Sequence, residues 1–357
     1  MRKVIHVIRN IDDGGTERFL FNVIKNTTTD IEHIIVTYDV INNYKDVISK
    51  KNIKTYIIDG PNVSGIKKHI KSLEEIFNKE KPDVVHAYTH YNAGYVMLAA
   101  KKAKVRIRIT HSHRSESTRV NRLTTRIYNL VSKLLIFVFS NVKIACSKEA
   151  GQSLFIGKYT LIKNGIDLNQ FIYNEKLRID LRKKYDIPKD AIVIGTVGRL
   201  DLNKNQSFLI DIFNDYHKQN LNSKLIIIGE GSERVNLTNR INNLKLAKDV
   251  LLLGSLKNVN EYYNLFDIFA LTSLKEGLPF VLIEAEANGL SGLVSDTVSK
   301  DANISNSLIY LPLSDKAKWL NNLRSIDINR KDYTNTIIKK GYSIESTVKE
   351  IEKIYLK

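Results

Sequence analysis

Ile268-Phe269-Ala270-Leu271 is a short apolar run that leads through Thr272–Lys275 into Glu276-Gly277-Leu278-Pro279-Phe280-Val281-Leu282-Ile283-Glu284. The run has the length and side chains of a buried strand. Gly277 frees the backbone for a turn, and Pro279 suits the first turn of a helix, expected over Pro279–Asn288. Strand, turn and helix in this order form the repeating unit of a parallel sheet covered by helices. The new helix points unpaired N–H groups and the positive end of its dipole past the strand, which makes an anion site. Glu284 lies about one and a half turns into the helix. Its carboxylate accepts hydrogen bonds in pairs and so suits a vicinal diol such as ribose, while Glu276 is placed for sugar hydroxyls. A bare pair of glutamates on an amphipathic helix is a weak signal. With Gly-Leu-Pro between them, after a strand, it is specific.

The same alternation runs outward in both directions. Strands are expected at Val4–Ile8, Ile34–Tyr38, Lys54–Ile58, Val84–His86, Arg106–Thr110 and Lys143–Cys146, with helical patterns at Glu17–Asn26, Ile66–Asn78 and Ala93–Lys102 between them. The pattern restarts after Asn164-Gly165-Ile166-Asp167. A charged helix (Lys176–Tyr185) precedes strands Ala191–Val197, Lys224–Ile228, Val250–Leu253, Ile268–Leu271 and Gly292–Val294. The fold class is α/β with two doubly wound domains, 1–168 and 169–340, and a last helix in 341–357 crossing back to the first.

The chain has 357 residues and a net charge of +17. Residues 1–168 hold 28 Lys/Arg against 15 Asp/Glu, and 169–357 hold 27 against 23, so most of the charge lies in the first half. Within 101–133 there are ten basic residues and one acid. Such a field calls for an anionic partner: nucleic acid, a lipid surface or a phosphorylated substrate. One cysteine, Cys146, excludes an internal disulfide framework and a cysteine-based zinc finger. The start, Met1-Arg2-Lys3-Val4-Ile5-His6, reads as a first strand rather than a signal peptide, and Leu130–Cys146 is too interrupted to span a membrane. The expected place is the cytoplasm.

Three further motifs sit in loops after strands. Asp12-Asp13-Gly14-Gly15-Thr16-Glu17 lets backbone N–H groups approach an anion, or is a tight turn. In Thr110-His111-Ser112-His113-Arg114, either histidine is placed to donate to a sugar hydroxyl or to developing charge; no Asp/Cys cluster accompanies them to suggest a metal. Gly198-Arg199-Leu200-Asp201-Leu202-Asn203-Lys204-Asn205 offers a planar guanidinium and a mobile ammonium, together suited to a leaving diphosphate.

On these motifs the chain resembles glycosyltransferase family 4 of the GT-B class, of the bacterial capsular and exopolysaccharide kind. The likeness extends over almost the whole chain. Glu276 to Glu284 matches that family's donor signature, Arg199 with Lys204 its diphosphate pair, and Gly229-Glu230-Gly231 and Gly14-Gly15 its glycine loops. His111 matches its cleft histidine, with His113 close enough to compete for the role. One departure is Ser291, where relatives often carry proline. The resemblance implies two Rossmann-like domains facing a central cleft, the first for the acceptor and the second for a nucleotide-sugar. It also implies that Glu284 holds ribose and that Arg199, Lys204 and the Gly277, Leu278, Pro279 and Phe280 segment hold the diphosphate. Glu276 and His111 would hold the transferred sugar, with Leu256 near the base. Transfer with retention follows from the family. The donor is a UDP-sugar by family frequency, and no metal or other cofactor is expected.

The acceptor implied is a saccharide or a lipid-linked diphosphate. A basic amphipathic helix over 119–139, with Arg119, Arg122, Arg126 and Lys133 beside Leu123, Ile127, Leu130, Leu134 and Phe137, fits an anionic leaflet, so the expected location is peripheral on the inner face of the cell membrane. Two other readings compete. A sugar-nucleotide epimerase on a similar scaffold would not require the Glu-Gly-Leu-Pro motif. A nucleic-acid binder would interleave aromatic platforms with its basic residues, but Tyr128 is the one aromatic within 101–133, so no specific nucleic acid is expected.

Overall fold

The computed structural model describes residues 2–11, 14–39, 44–113, 123–276 and 278–357. The chain divides into two compact units, Met1–Gly165 with Ile344–Lys357, and Ile166–Ser343. The boundary read at 168/169 therefore falls at 165/166. The returning segment begins at Ile344 rather than at 341.

The first unit is built on seven parallel strands: β1 (Arg2–Ile8), β2 (Ile31–Thr37), β3 (Lys54–Ile57), β4 (Val84–Ala87), β5 (Ile107–Ser112), β6 (Val142–Ala145) and β7 (Thr160–Leu161), in the order β3-β2-β1-β4-β5-β6-β7. The second holds six: β8 (Ile192–Val197), β9 (Ser223–Ile228), β10 (Val250–Gly254), β11 (Ile268–Leu271), β12 (Ser291–Ser295) and β13 (Leu308–Leu311), in the order β10-β9-β8-β11-β12-β13. Both orders reverse direction once, between β1 and β4 and between β8 and β11. Loops leaving the carboxyl ends of such a strand pair diverge and open a crevice where ligands bind.

The strands read as continuous apolar runs because helices cover both faces. In β9, Leu225, Ile226, Ile227 and Ile228 are all buried. Strands β7 and β13 have no counterpart in the sequence reading; each is short and lies at a sheet edge. The single tryptophan, Trp319 on helix Lys316–Ser325, is wholly buried in the second unit's core and donates its indole N–H to Pro312 O at 3.0 Å.

Helix Ile344–Tyr355 belongs to the first unit. It buries Ile344, Val348, Ile351 and Tyr355 and packs on helix Gly15–Asn26. The Glu352 carboxylate closes the turn before β2: Oε1 accepts from the backbone N–H of Thr28 at 2.7 Å and of Thr29 at 3.0 Å, and both threonine hydroxyls donate to the same group. Removing it takes away four hydrogen bonds to one charged group. We expect Glu352→Ala to lower the unfolding free energy by about 2 kcal/mol, measured by urea titration of the full chain. An unchanged midpoint would contradict this account of the helix.

Candidate functional site

In the second unit, the loops after β8 and β11 flank the strand reversal. The first is fixed by a close backbone crossing. Gly229 has φ of 144°, and a Cβ there would lie 1.9 Å from the Gly198 carbonyl oxygen. A Cβ on Gly231 would lie 2.2 Å from the Leu200 carbonyl oxygen. Glycine at both positions lets Leu200 N donate to Glu230 O and Glu233 N to Leu200 O, each at 2.9 Å.

The second loop is then fastened to the first. Thr272 Oγ1 reaches the carbonyls of Lys204 at 3.2 Å and Asn205 at 3.0 Å, Leu274 N donates to Asn203 O at 2.7 Å, and Asn203 Nδ2 donates to Lys275 O at 3.0 Å. The result is an ion pair between residues 72 positions apart: Lys204 Nζ lies 2.5 Å from Glu276 Oε1, which also accepts from Ser273 Oγ at 3.2 Å. Both side chains are mostly buried. Lys204 has three donors, so Glu276 leaves capacity for further oxygens.

Arg199, on the same loop, is not drawn into this pair. Its side chain is 80% exposed and meets Asp201 at 3.3 Å. An ion pair this exposed is weak, and exchanging Asp201 for a phosphate costs little. Glu284 lies on helix Phe280–Ala287, whose every turn is buried; it is 1% exposed and accepts from Tyr263 Oη at 2.6 Å. Pro279 caps that helix in extended conformation, Phe280 is buried, and Leu278 and Leu256 are half-buried. Gly277 lies outside the described residues.

In the first unit, Gly14 caps helix Gly15–Asn26, and a Cβ on it would lie 2.0 Å from Glu17 Oε2. The Glu17 carboxylate thus folds against the glycine loop and brings negative charge to the place where the sequence reading has an anion. Asp12 and Asp13 lie outside the described residues. His111 and His113 stand at the end of β5, with ring centroids 4.0 Å apart and Phe19 against both.

His111 also ends a buried chain that the sequence reading missed. His33 Nδ1 and His6 Nε2 are 2.9 Å apart; His6 Nδ1 and Tyr88 Oη, 3.3 Å; Tyr88 Oη and His86 Nδ1, 3.0 Å. Tyr355 Oη lies 2.7 Å from His86 Nδ1, and His86 Nε2 lies 3.2 Å from His111 Nδ1. Burial, reinforced by neighbouring histidines, holds His6, His86 and His111 well below the usual imidazole range. Burial lowers His33 to about 4, helped by Lys51 and opposed by Glu352. A signal was present: strands β1, β4 and β5 carry one histidine each, and His6 lies directly beside His86 in register. Tyr263, the partner of Glu284, left no such trace. Among the described residues no group of three or more His, Cys, Asp or Glu is arranged to hold a metal ion.

Residues 13–170 match the model of Glycosyltransferase Family 4, and residues 178–304 match that of Glycosyl transferases group 1. The chain is 26% identical to the putative glycosyltransferase EpsF of Bacillus subtilis, over 99% of this chain and 96% of that one. It is 25% identical to the capsular polysaccharide biosynthesis glycosyltransferase CapH of Staphylococcus aureus, over 100% and 99%. The fold is shared with Anabaena Alr3699/HepE, solved in complex with UDP, at a TM-score of 0.81 and 17% identity over 99% of each chain.

The buried histidines set a pH dependence. The unfolded chain protonates its histidines near pH 6.5, whereas the fold keeps these neutral. Their contribution is therefore complete above about pH 6.5 and is lost as pH falls towards the folded values, at up to about 1.4 kcal/mol per pH unit for each. The urea midpoint should fall steadily from about pH 7 to about pH 5.5, before most carboxylates titrate. A flat midpoint across that window would show that these histidines take up protons in the fold.

Proposed function

Since the chain is a family 4 glycosyltransferase with the GT-B fold, we propose that it moves a sugar, with retention of configuration, from a UDP-sugar to a lipid-linked or saccharide acceptor in bacterial surface polysaccharide synthesis. The observation that carries this reading is the Lys204–Glu276 pair at the strand reversal of the second unit, 2.5 Å long and fastened by both flanking loops. The hexosyl or N-acetylhexosaminyl group is transferred as the bond to the diphosphate breaks. Lys204 and Arg199 neutralise the negative charge that develops there, and the start of helix Phe280–Ala287 adds backbone donors. Phosphate oxygens replace Asp201 on Arg199 and share Lys204 with Glu276. Glu276 then turns a carboxylate oxygen to the sugar hydroxyls. Glu284, fixed by Tyr263, binds the ribose, with Leu256 beside the base, and His111 is assigned a hydrogen bond to the transferred sugar.

The leaving diphosphate takes the acceptor's proton on the face where attack occurs. The protein's contribution is positive charge and alignment rather than a strong base. UDP as the nucleotide is supported by the likeness to a chain solved with UDP. The same reading assigns charge neutralisation to Arg199 and Lys204 rather than to a metal.

The acceptor side rests on helix Leu123–Phe139, the described part of the expected 119–139 segment; Arg119 and Arg122 lie outside the described residues. Only Ser132 and Ile136 of this helix are buried. Leu123, Ile127, Leu130, Leu134 and Val138 recur at spacings of three and four, hence on one face, and all are exposed, Leu123 by 72%. An apolar stripe open to solvent beside Arg126 and Lys133 suits an anionic lipid surface, where a lipid-linked acceptor would be met at the cytoplasmic leaflet. Among the described residues no helix is long and apolar enough to cross a membrane.

Two measurements test these readings. In a thermal-shift panel, a uridine-diphosphate sugar at about a hundredfold excess over its Kd should stabilise the wild type by about 2.7 kcal/mol. Glu284→Ala and Lys204→Ala should lose most of that ligand-dependent gain. No stabilising nucleotide, or equal gains in the variants, would refute the donor site. In flotation with phosphatidylglycerol vesicles, the wild type should bind and Leu130→Ser/Leu134→Ser should bind roughly tenfold more weakly. Absent or unaltered binding would refute the membrane face.

A further inference from the structure

His111 is wholly buried, and its Nε2 has no hydrogen-bond partner among the described residues. Whether that nitrogen offers a proton or a lone pair is decided at the other end of the ring. A neutral imidazole has one N–H and one lone pair, so every hydrogen bond along a chain of imidazoles fixes the polarity of the next. A phenol is a stronger donor than a neutral imidazole N–H, and a bare imidazole nitrogen is a stronger acceptor than a phenol oxygen. The shortest histidine link in the chain, Tyr355 Oη to His86 Nδ1 at 2.7 Å, therefore runs from tyrosine to histidine. His86 then carries its proton on Nε2 and donates it to His111 Nδ1 across 3.2 Å. His111, accepting on Nδ1, carries its own proton on Nε2.

We infer that Tyr355 and His86 are positioning residues that fix His111 as an Nε2–H donor. His111 in this state gives a hydrogen bond to a substrate oxygen and does not remove the acceptor's proton. The remainder of the chain agrees in polarity. Tyr88 Oη, with His86 Nδ1 already taken by Tyr355, has the Tyr355 hydroxyl and, at 3.3 Å, His6 Nδ1 as acceptors for its proton, and His6 Nε2–H donates to His33 Nδ1 at 2.9 Å. A charged His86 or His111, which would donate from both nitrogens, is disfavoured by full burial and by the neighbouring histidines. Phe19 meets His111 edge-on and supplies no competing polar partner. The inference rests on the reading that His111 faces the transferred sugar. It adds that the C-terminal helix sets that residue's chemistry.

The direct test is a long-range proton–nitrogen correlation spectrum of the full chain labelled with nitrogen-15 histidine, at about pH 7.5, where free imidazoles are also neutral. Both His86 and His111 should show the proton on Nε2. His86→Gln, whose amide N–H still donates to His111 Nδ1, should keep the His111 pattern. Tyr88→Phe/Tyr355→Phe, with no phenol donor left for His86, should show mixed tautomers at His111. In turnover, His86→Leu should lower kcat about tenfold, the scale of one hydrogen bond lost at the transition state. Donor KM should stay within about twofold, and His86→Gln should recover most of the loss. A proton on Nδ1 of His111 in the wild type overturns the inference, as does a His86→Gln enzyme as slow as His86→Leu. Failure of the donor-site reading would appear separately, as absent nucleotide stabilisation with the histidine pattern intact.

Discussion

The second unit's site depends on one steric constraint, the backbone crossing at Gly198 and Gly229. Two chain segments pass so closely there that a methyl group on either of the glycines at 229 and 231 would sit inside a carbonyl oxygen. The crossing holds the loop after β8, and the loop after β11 takes its shape from the first through Thr272, Asn203 and Leu274. Lys204 and Glu276 meet because of it. The ordering entropy of two long side chains is thereby met by hydrogen bonds outside the pair.

The two units share a strand order but use their reversals differently. In the second, the reversal carries charge: a lysine, a carboxylate and an exposed arginine. In the first, it carries neutral polar rings packed between β1, β4 and β5, with a tyrosine from the far end of the chain among them. Arg126 and Lys133 of that unit lie on the helix whose apolar side chains face solvent.

What the sequence disclosed, and what it withheld, follows from the range of each interaction. Strands such as Val4–Ile8 and helices such as Ala93–Lys102 were legible because their periodicity is local. The Glu276–Glu284 motif, Lys204 and the glycine loops were legible because a turn's geometry demands particular residues in a short stretch. Short edge strands β7 and β13 carry too few residues for a pattern. The histidine chain depends on strand register, joining residues 6, 86, 111 and 355, and no local period encodes that. The helix at 123–139 shows the converse limit: its amphipathic spacing was clear, but which face meets solvent is a tertiary fact, and here it is the apolar one. Glu284's buried bond to Tyr263 likewise joins two elements whose proximity only the packed sheet reveals.

Helix Ile344–Tyr355 returns to the first unit after the whole of the second has been traversed. A ribosome therefore releases residues 166–343 as an uninterrupted folding unit while the first still lacks its last helix. Until Glu352 and Tyr355 emerge, Thr28 and Thr29 have no carboxylate to bind and His86 lacks its nearest phenol. The usual order of synthesis, first domain finished first, is reversed. The nascent amino-terminal half waits, with one helix face uncovered, for Ile344–Tyr355 to emerge and complete it.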